Sequence, residues 1–308
     1  MVSLSSRIRR VRAANPSPMT LSGTNTYLID VGEGAAIVVD PGPLLESHLE
    51  AIVAAAQAAR LKLIAILVTH GHPDHAPAAA PLAQRTGAPV WAHAHARFPH
   101  ERDLSDRERL TFAGAALRVI DAPGHTFDHL VFWLEDEGAL FTGDTVLGEG
   151  TTVIAPPGGA MRPYQQTLHR LLREFGGAAS ILGGHGEPVL DPRERLKYYI
   201  THREEREREL LIHLERGAAT LPALVESIYA RYDRRLWPAA ARQLLAHLQA
   251  LEEENRVVPQ IVRRPPTRDE SAILVPDLRA IADPAAAEVA RAELGTALGL
   301  PLVEYRLA

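Results

Sequence analysis

From Thr24 to Asp121 short β-branched runs alternate with longer Ala-rich stretches. The runs NTYLIDV (25–31) and AAIVVDPG (35–42) predict two strands joined by the Gly32-Glu33-Gly34 turn. Residues 44–60 carry apolar positions at helical spacing, and LKLIAILVTH (61–70) is a nearly continuous apolar run, as expected of a strand buried on both faces. A helix over 76–85, despite Pro77 and Pro81, and a short buried strand APVWAH (88–93) come next. ALRVIDAPG (116–124), HLVFWLE (129–135) and GALFTGD (138–144) then read as strands, 161–175 as a helix and SILGGHG (180–186) as a last strand. Ile8 and Val11, set among arginines, predict an edge strand near the N-terminus. This mixed order, with paired strands first, argues for an α/β class in which helices cover sheets.

After Asp191 the texture changes. Helices are predicted over 193–215, 220–231 and 238–254, followed by the short β-rich NRVVPQIV. They outline a helical, winged-helix-like domain over 191–262, behind a core domain of 1–190. RRPPTRDE (263–270) reads as a linker. SAILVPDL, an Ala-rich helix and LVEYRLA complete an expected small α/β appendage over 263–308.

Composition narrows the function. The 308 residues are 46% hydrophobic and 23% charged, an ordinary globular balance. The net charge of −5 gives no overall pull toward nucleic acid or an anionic membrane. The absence of cysteine excludes disulfides, iron–sulfur clusters, thiolate zinc sites and a cysteine nucleophile. No apolar run approaches the ~18–20 residues that span a bilayer. The Arg-rich first residues have no apolar h-region and so no secretory signal, and the expected location is cytoplasmic, with no membrane partner.

The chemistry sits at predicted strand ends. Thr69-His70-Gly71-His72-Pro73-Asp74-His75 puts three imidazoles and a carboxylate within six residues, directly after a buried strand. On a loop these side chains can converge on a metal, and an all-nitrogen and oxygen donor set favours zinc, iron or manganese, with zinc the default. A His-rich hydrophilic turn would explain one such cluster, but the pattern recurs in Pro123-Gly124-His125-Thr126, Thr142-Gly143-Asp144 and Gly183-Gly184-His185-Gly186. Each sets one ligand-capable side chain beside glycines, which let the backbone bend sharply and approach a packed site.

H-x-H-x-D-H, PGHT, TGD and GGHG in this order resemble the metallo-β-lactamase superfamily of binuclear metal hydrolases. The resemblance implies a four-layer αββα sandwich with the site along one edge of the paired sheets. It implies that His70, His72 and His125 bind one metal, that Asp74, His75 and His185 bind a second, and that Asp144 bridges them. The lack of cysteine departs from the common antibiotic-hydrolysing pattern, so antibiotic hydrolysis is not expected. Asn15-Pro16, Gly23–Tyr27, Asp121–His129, Gly143–Thr152 and Tyr199–Arg203 are similar to one branch, the β-lactamase-like endoribonucleases and their bacterial relatives. That likeness covers about residues 15–258 and leaves the last stretch unexplained.

Residues and resemblance together predict a two-zinc hydrolase in which a metal-bridging hydroxide, oriented by Asp74, attacks the substrate. The expected substrate is a phosphodiester, single-stranded RNA. The alternative is a small ester, thioester or lactone, as in glyoxalase II and lactonases. His129 either hydrogen-bonds a neighbouring ligand or donates a proton to the leaving group. His93 and His95 end a strand on the same sheet edge, but the seven ligand positions are already filled. Asn25 and Thr26 are expected to pin the turn of the first strand. Glu149–Thr152 is a tight turn serving Asp144 or a wall for substrate. His202–Glu209, HREERERE, reads as a solvated helix face. Arg231, Arg234, Arg235 and Arg242 near Tyr232 and Trp237 make a candidate RNA-tracking surface. The helical domain, stiffly tethered through Pro188 and Pro192, is expected to close over the cleft as a lid, and as a DNA-binding or homodimerising module it would leave the ligand set unexplained.

Overall fold

In the computed structural model, which describes residues 1–274 and 302–308, the strands of the N-terminal core form two facing sheets. The first has seven strands in sequence order: β1 Val2–Ser3, β2 Ile8–Arg12, β3 Asn25–Gly32, β4 Ala35–Val39, β5 Lys62–Leu67, β6 Val90–His93 and β7 Arg102–Leu104. β1 to β4 pair antiparallel and β4 to β7 parallel. β2 is therefore not the edge strand it was predicted to be, because the two-residue β1 lies outside it. The second sheet runs in the order β12-β11-β10-β9-β8, from β8 Arg109–Thr111, β9 Ala116–Asp121, β10 Leu130–Leu134, β11 Ala139–Gly143 and β12 Ser180–Gly183.

The period of two along each strand divides its residues between layers. Tyr27, Ile29, Ile37, Val39 and Leu67 face Val119, Phe132 and Phe141 between the sheets. Leu28, Val38 and Ile66 point the other way, under α1 (Glu46–Ala58) and α2 (Ala79–Thr86). On the far side Val131 and Leu140 lie under α3 (Met161–Phe175) and α4 (Pro192–Glu215). Burial on both faces is why these strands read as unbroken apolar runs, and the result is the expected αββα sandwich.

α4 is shared by two cores. Its N-terminus is capped by Asp191, whose side chain accepts the Glu194 N–H at 3.1 Å, with Pro192 in the first turn. Leu196, Tyr199 and Ile200 then pack with α3, while Leu210 and Leu214 pack with α5 (Leu221–Ile228) and α6 (Trp237–Glu253). A three-stranded sheet completes the C-terminal unit, in the order β13 (Ala219–Thr220), β15 (Val303–Leu307), β14 (Val257–Ile261).

Two expectations change here. LVEYRLA is not part of a separate appendage, because β15 lies between β13 and β14 with Tyr305 buried. The linker RRPPTRDE ends in a helix, α7 (Arg268–Leu274), started by a reciprocal cap. The Thr267 hydroxyl accepts from Glu270 N–H at 3.2 Å, and the Glu270 carboxylate accepts from Thr267 N–H at 2.7 Å. The expected Ala-rich helix lies outside the described residues. Among the described residues no helix is long and apolar enough to cross a membrane.

Candidate metal centre

The loops after β5, β9, β11 and β12 meet at one edge of the sandwich. They carry His70, His72, Asp74 and His75, then His125, Asp144 and His185, and all but His72 are buried. The two sheets are stitched together here. Asn25 N–H donates to Gly184 O at 2.7 Å, and the Asn25 amide donates to Gly183 O and Gly186 O at 3.1 and 2.9 Å. Asn25 thus holds the His185 loop, while the Thr26 hydroxyl donates to Asp40 O at 2.6 Å. The crowding demands glycine, since a Cβ at Gly184 would fall 2.5 Å from Asp144 Oδ1 and 2.6 Å from His75 Cε1.

All seven expected ligands come together. Ligand atoms of His70, His72 and His125, of His70, His75 and Asp144, and of Asp74, His75 and His185 lie within 4.8 Å of one another in each group. His75 Nε2 stands 3.3 Å from both Asp74 Oδ2 and Asp144 Oδ1. His185 Nε2 stands 3.2 Å from Asp74 Oδ2 and 3.4 Å from Asp144 Oδ2. His125 Nε2 is 3.8 Å from Asp144 Oδ2, so the Asp144 carboxylate lies between the two groups.

The surroundings fix which nitrogen each histidine presents. Asp40 accepts the Thr69 hydroxyl proton at 2.8 Å and the His75 Nδ1–H at 2.8 Å. Thr69 has then no proton left, so His70 Nδ1–H donates to Thr69 Oγ1 at 3.0 Å. His125 Nδ1–H donates to Val153 O at 2.9 Å and His185 Nδ1–H to Gly23 O at 3.3 Å. All four rings therefore turn Nε2 toward the cluster, the arrangement of metal-ligating imidazoles with their outer partners. Thr24, itself held by Asn15, donates its hydroxyl to Asp74 Oδ2 at 2.9 Å.

His129 holds the backbone of Asp144. Its Nε2 accepts the Asp144 N–H at 3.1 Å, its Nδ1 meets Thr145 Oγ1 at 3.2 Å, and its ring stacks on His70 at 4.7 Å. Both nitrogens are occupied, which is the geometry of the first of its two expected roles, a hydrogen bond to a neighbouring ligand.

Charge and burial compete strongly here. Burial alone pushes His75 and His185 down, but Asp74 and Asp144 outweigh it, raising His75 well above the usual imidazole range and His185 to about 10. Burial opposes the charged forms of Asp74 and Asp144 as well, yet the facing histidines hold both carboxyls below the usual range. His70 is lowered by burial and by its histidine neighbours.

Other expected residues fall elsewhere. His93 lies 3.9 Å from Asp121 and receives the His95 N–H, and neither belongs to a ligand group. Arg242 and Trp237 are buried, so they are not part of the exposed surface that carries Arg231, Tyr232, Arg234 and Arg235. The charged run 202–209 is not all solvated, because Arg203 and Arg206 are buried. None of residues 191–262 lines either of two clefts beside the cluster. One, of about 70 Å³, is walled by Met19, Leu21, Leu147 and Glu149–Thr152. The other, of about 520 Å³, is walled by His72, Phe98, Thr126, Phe127 and Pro157. The Glu149–Thr152 loop is thus a wall as well as a turn. Asp40, which the structure holds at φ 51° in the left-handed region, was missed: its signal in the sequence was an acid closing the apolar run Ile37-Val38-Val39.

Residues 19–185 match the model of the metallo-beta-lactamase superfamily. The chain belongs to that superfamily. Residues 220–260 match the beta-lactamase associated winged helix domain. A beta-lactamase-like protein 2 homolog of Drosophila melanogaster is 34% identical over 275 residues, covering 82% of this chain and 90% of its own. An atrochrysone carboxyl ACP thioesterase of Aspergillus fumigatus is 30% identical over 243 residues, covering 74% and 75%. The crystal structure of a metallo-beta-lactamase family protein from Thermus thermophilus superposes with a TM-score of 0.71 at 25% identity, over 84% of this chain and 97% of that one. Proteins of this superfamily fold bind divalent metals, and the donor set here fits them. His70 Nε2, His75 Nε2, Asp74 Oδ1 and Asp144 Oδ1 are buried without a hydrogen-bond partner, which an ion would supply.

Proposed function

We propose that this metallo-beta-lactamase superfamily hydrolase holds two metals, zinc by its donor set, and cleaves acyl thioesters. His70, His72 and His125 would hold one metal, Asp74, His75 and His185 the other, with Asp144 shared. When bound, the pair supplies Lewis acidity and a water of lowered pKa. The chain's own part is to orient and to exclude water. Asp40 and the Thr69 hydroxyl fix the ligand loop, and Thr24 fixes Asp74.

The observation that carries the choice of substrate is the lining of the clefts. Met19, Leu21 and Leu147 on one side and Phe98, Phe127 and Pro157 on the other are apolar, with Arg97 the one full cation among both linings. A polyphosphate backbone needs several cations along its track. Arg231, Arg234 and Arg235 are exposed on the C-terminal unit and line neither cleft. An apolar thioester suits these walls, and a relative named as an acyl-carrier thioesterase supports the reading. The test is the zinc-loaded protein assayed in parallel on an N-acetylcysteamine thioester, a homoserine lactone and labelled single-stranded RNA. Thioester turnover above the other two is expected. RNA cleavage with the thioester left intact would return the substrate to the endoribonuclease reading.

A further inference from the structure

Arg203 poses a physical problem. It is 1% exposed, and among the described residues no carboxylate pairs with it. Its guanidinium lies 5.3 Å from the Tyr164 ring and 6.0 Å from the Tyr199 ring, and its Nε has no partner. A buried, unpaired charge is costly to keep. Its hydrogen bond runs from Nη2 to Thr152 O at 2.6 Å.

That bond leads to the site. The Thr152 hydroxyl donates to Asp144 O at 2.7 Å, and the next carbonyl, Val153 O, accepts from His125 Nδ1 at 2.9 Å. One short segment thus touches two of the candidate ligands. It is held from behind throughout its length. Tyr164 OH donates to Thr145 O at 2.7 Å, Leu147 N–H donates to Tyr199 OH at 2.9 Å, and Arg195 donates to Leu147 O and Gly150 O at 2.8 Å. Ile154 N–H donates to Gln243 Oε1 of α6 at 3.2 Å. Arg195, Tyr199 and Arg203 are four residues apart on α4 and so share one helical face.

We propose that Arg203 is a positioning residue of the metal centre. Through Thr152 it fixes Asp144, and the long helix of the C-terminal unit thereby completes a site to which that unit gives no ligand. A guanidinium is suited to the task because its planar fork can hydrogen-bond a carbonyl while its cation lies near the two tyrosine rings. The proposal rests on the two-metal reading above.

The experiment is a titration of the full-length, metal-free protein with cobalt(II) alone, read by its visible spectrum, for the wild type, Thr152→Val and Arg203→Lys. Thr152→Val removes one hydroxyl at nearly constant shape. It is expected to weaken the weaker-bound cobalt by roughly 10–100-fold and to alter its spectrum. Arg203→Lys is expected to do the same more strongly, and if that variant does not fold, Thr152→Val carries the test. Wild-type cobalt affinity and spectrum in Thr152→Val, with only the melting temperature lowered, would overturn the proposal and leave the two-metal reading standing. Failure of the wild type to bind two cobalt ions would overturn both.

Discussion

Two groups of histidines in this molecule, one at the strand ends and one between α4 and α6, are pushed in opposite directions by their surroundings. At the strand ends His75 and His185 face Asp74 and Asp144, and both imidazoles are raised. Between α4 and α6, burial lowers His202 to about 4 and also lowers His247, with Arg203 reinforcing both shifts. The first group keeps cations among anions and leaves donor atoms of both kinds unpartnered. In the second, burial and nearby arginines prevail over Glu207, which faces His247 at 3.9 Å but is also tied to Arg162 and Arg256. A buried histidine faced by two carboxylates is thus set to exchange its proton for a metal ion, whereas burial and nearby arginines lower His202.

Breaking the first cluster has the largest expected effect. Asp144→Ala leaves the facing cations without their shared carboxylate. Thioester hydrolysis should fall by more than the roughly 100-fold typical of a lost outer partner, with metal content per chain reduced on elemental analysis. Next comes Asp40→Asn, which weakens the grip on His75 and Thr69 but removes no ligand. Its metal affinity should drop by about 10–100-fold, measured by competition with a chelating dye.

Acid and alkali sharpen the contrast in the metal-free protein. For His202 the folded value, about 4, lies below the unfolded one near 6.5, so the unfolded chain takes up the proton first. Its contribution is present above pH ~6.5 and is lost as pH falls toward 4, on the order of 2 kcal/mol given its partial exposure. His202→Gln should flatten that part of a denaturant-melt pH profile. For His185 the sign reverses. Its folded value of about 10 is above the unfolded one, so its stabilisation is present below pH ~6.5 and fades as pH rises toward 10. The smallest effect is expected from Arg234→Glu with Arg235→Glu, both exposed. Melting should move by no more than about 0.5 kcal/mol in stability, and thioester turnover should not change.

Much of the catalytic half was legible because its chemistry is local. Each ligand loop follows an apolar run and contains a glycine, so His70, His125, Asp144 and His185 could be placed at strand ends before any contact was known. Asp40 could not, since an acid before Pro-Gly also fits an ordinary turn, and its role depends on Thr69 and His75 arriving from another loop. Arg203 was hidden in a charged run whose neighbours Glu204 and Glu205 are exposed, and sequence alone does not say which turn of α4 faces inward. β15 pairs with strands far back along the chain, and no local pattern in LVEYRLA names those partners.

The central claim is that seven side chains form one two-metal centre in which the carboxylates keep His75 and His185 charged. Zinc titrated calorimetrically into the metal-free protein at pH 8, in two buffers of different ionisation heat, tests it most directly. Because His75 and His185 hold protons above the usual imidazole range, the account expects two zinc ions bound per chain and protons released as they bind. One zinc per chain, or two bound with no proton released, would contradict it.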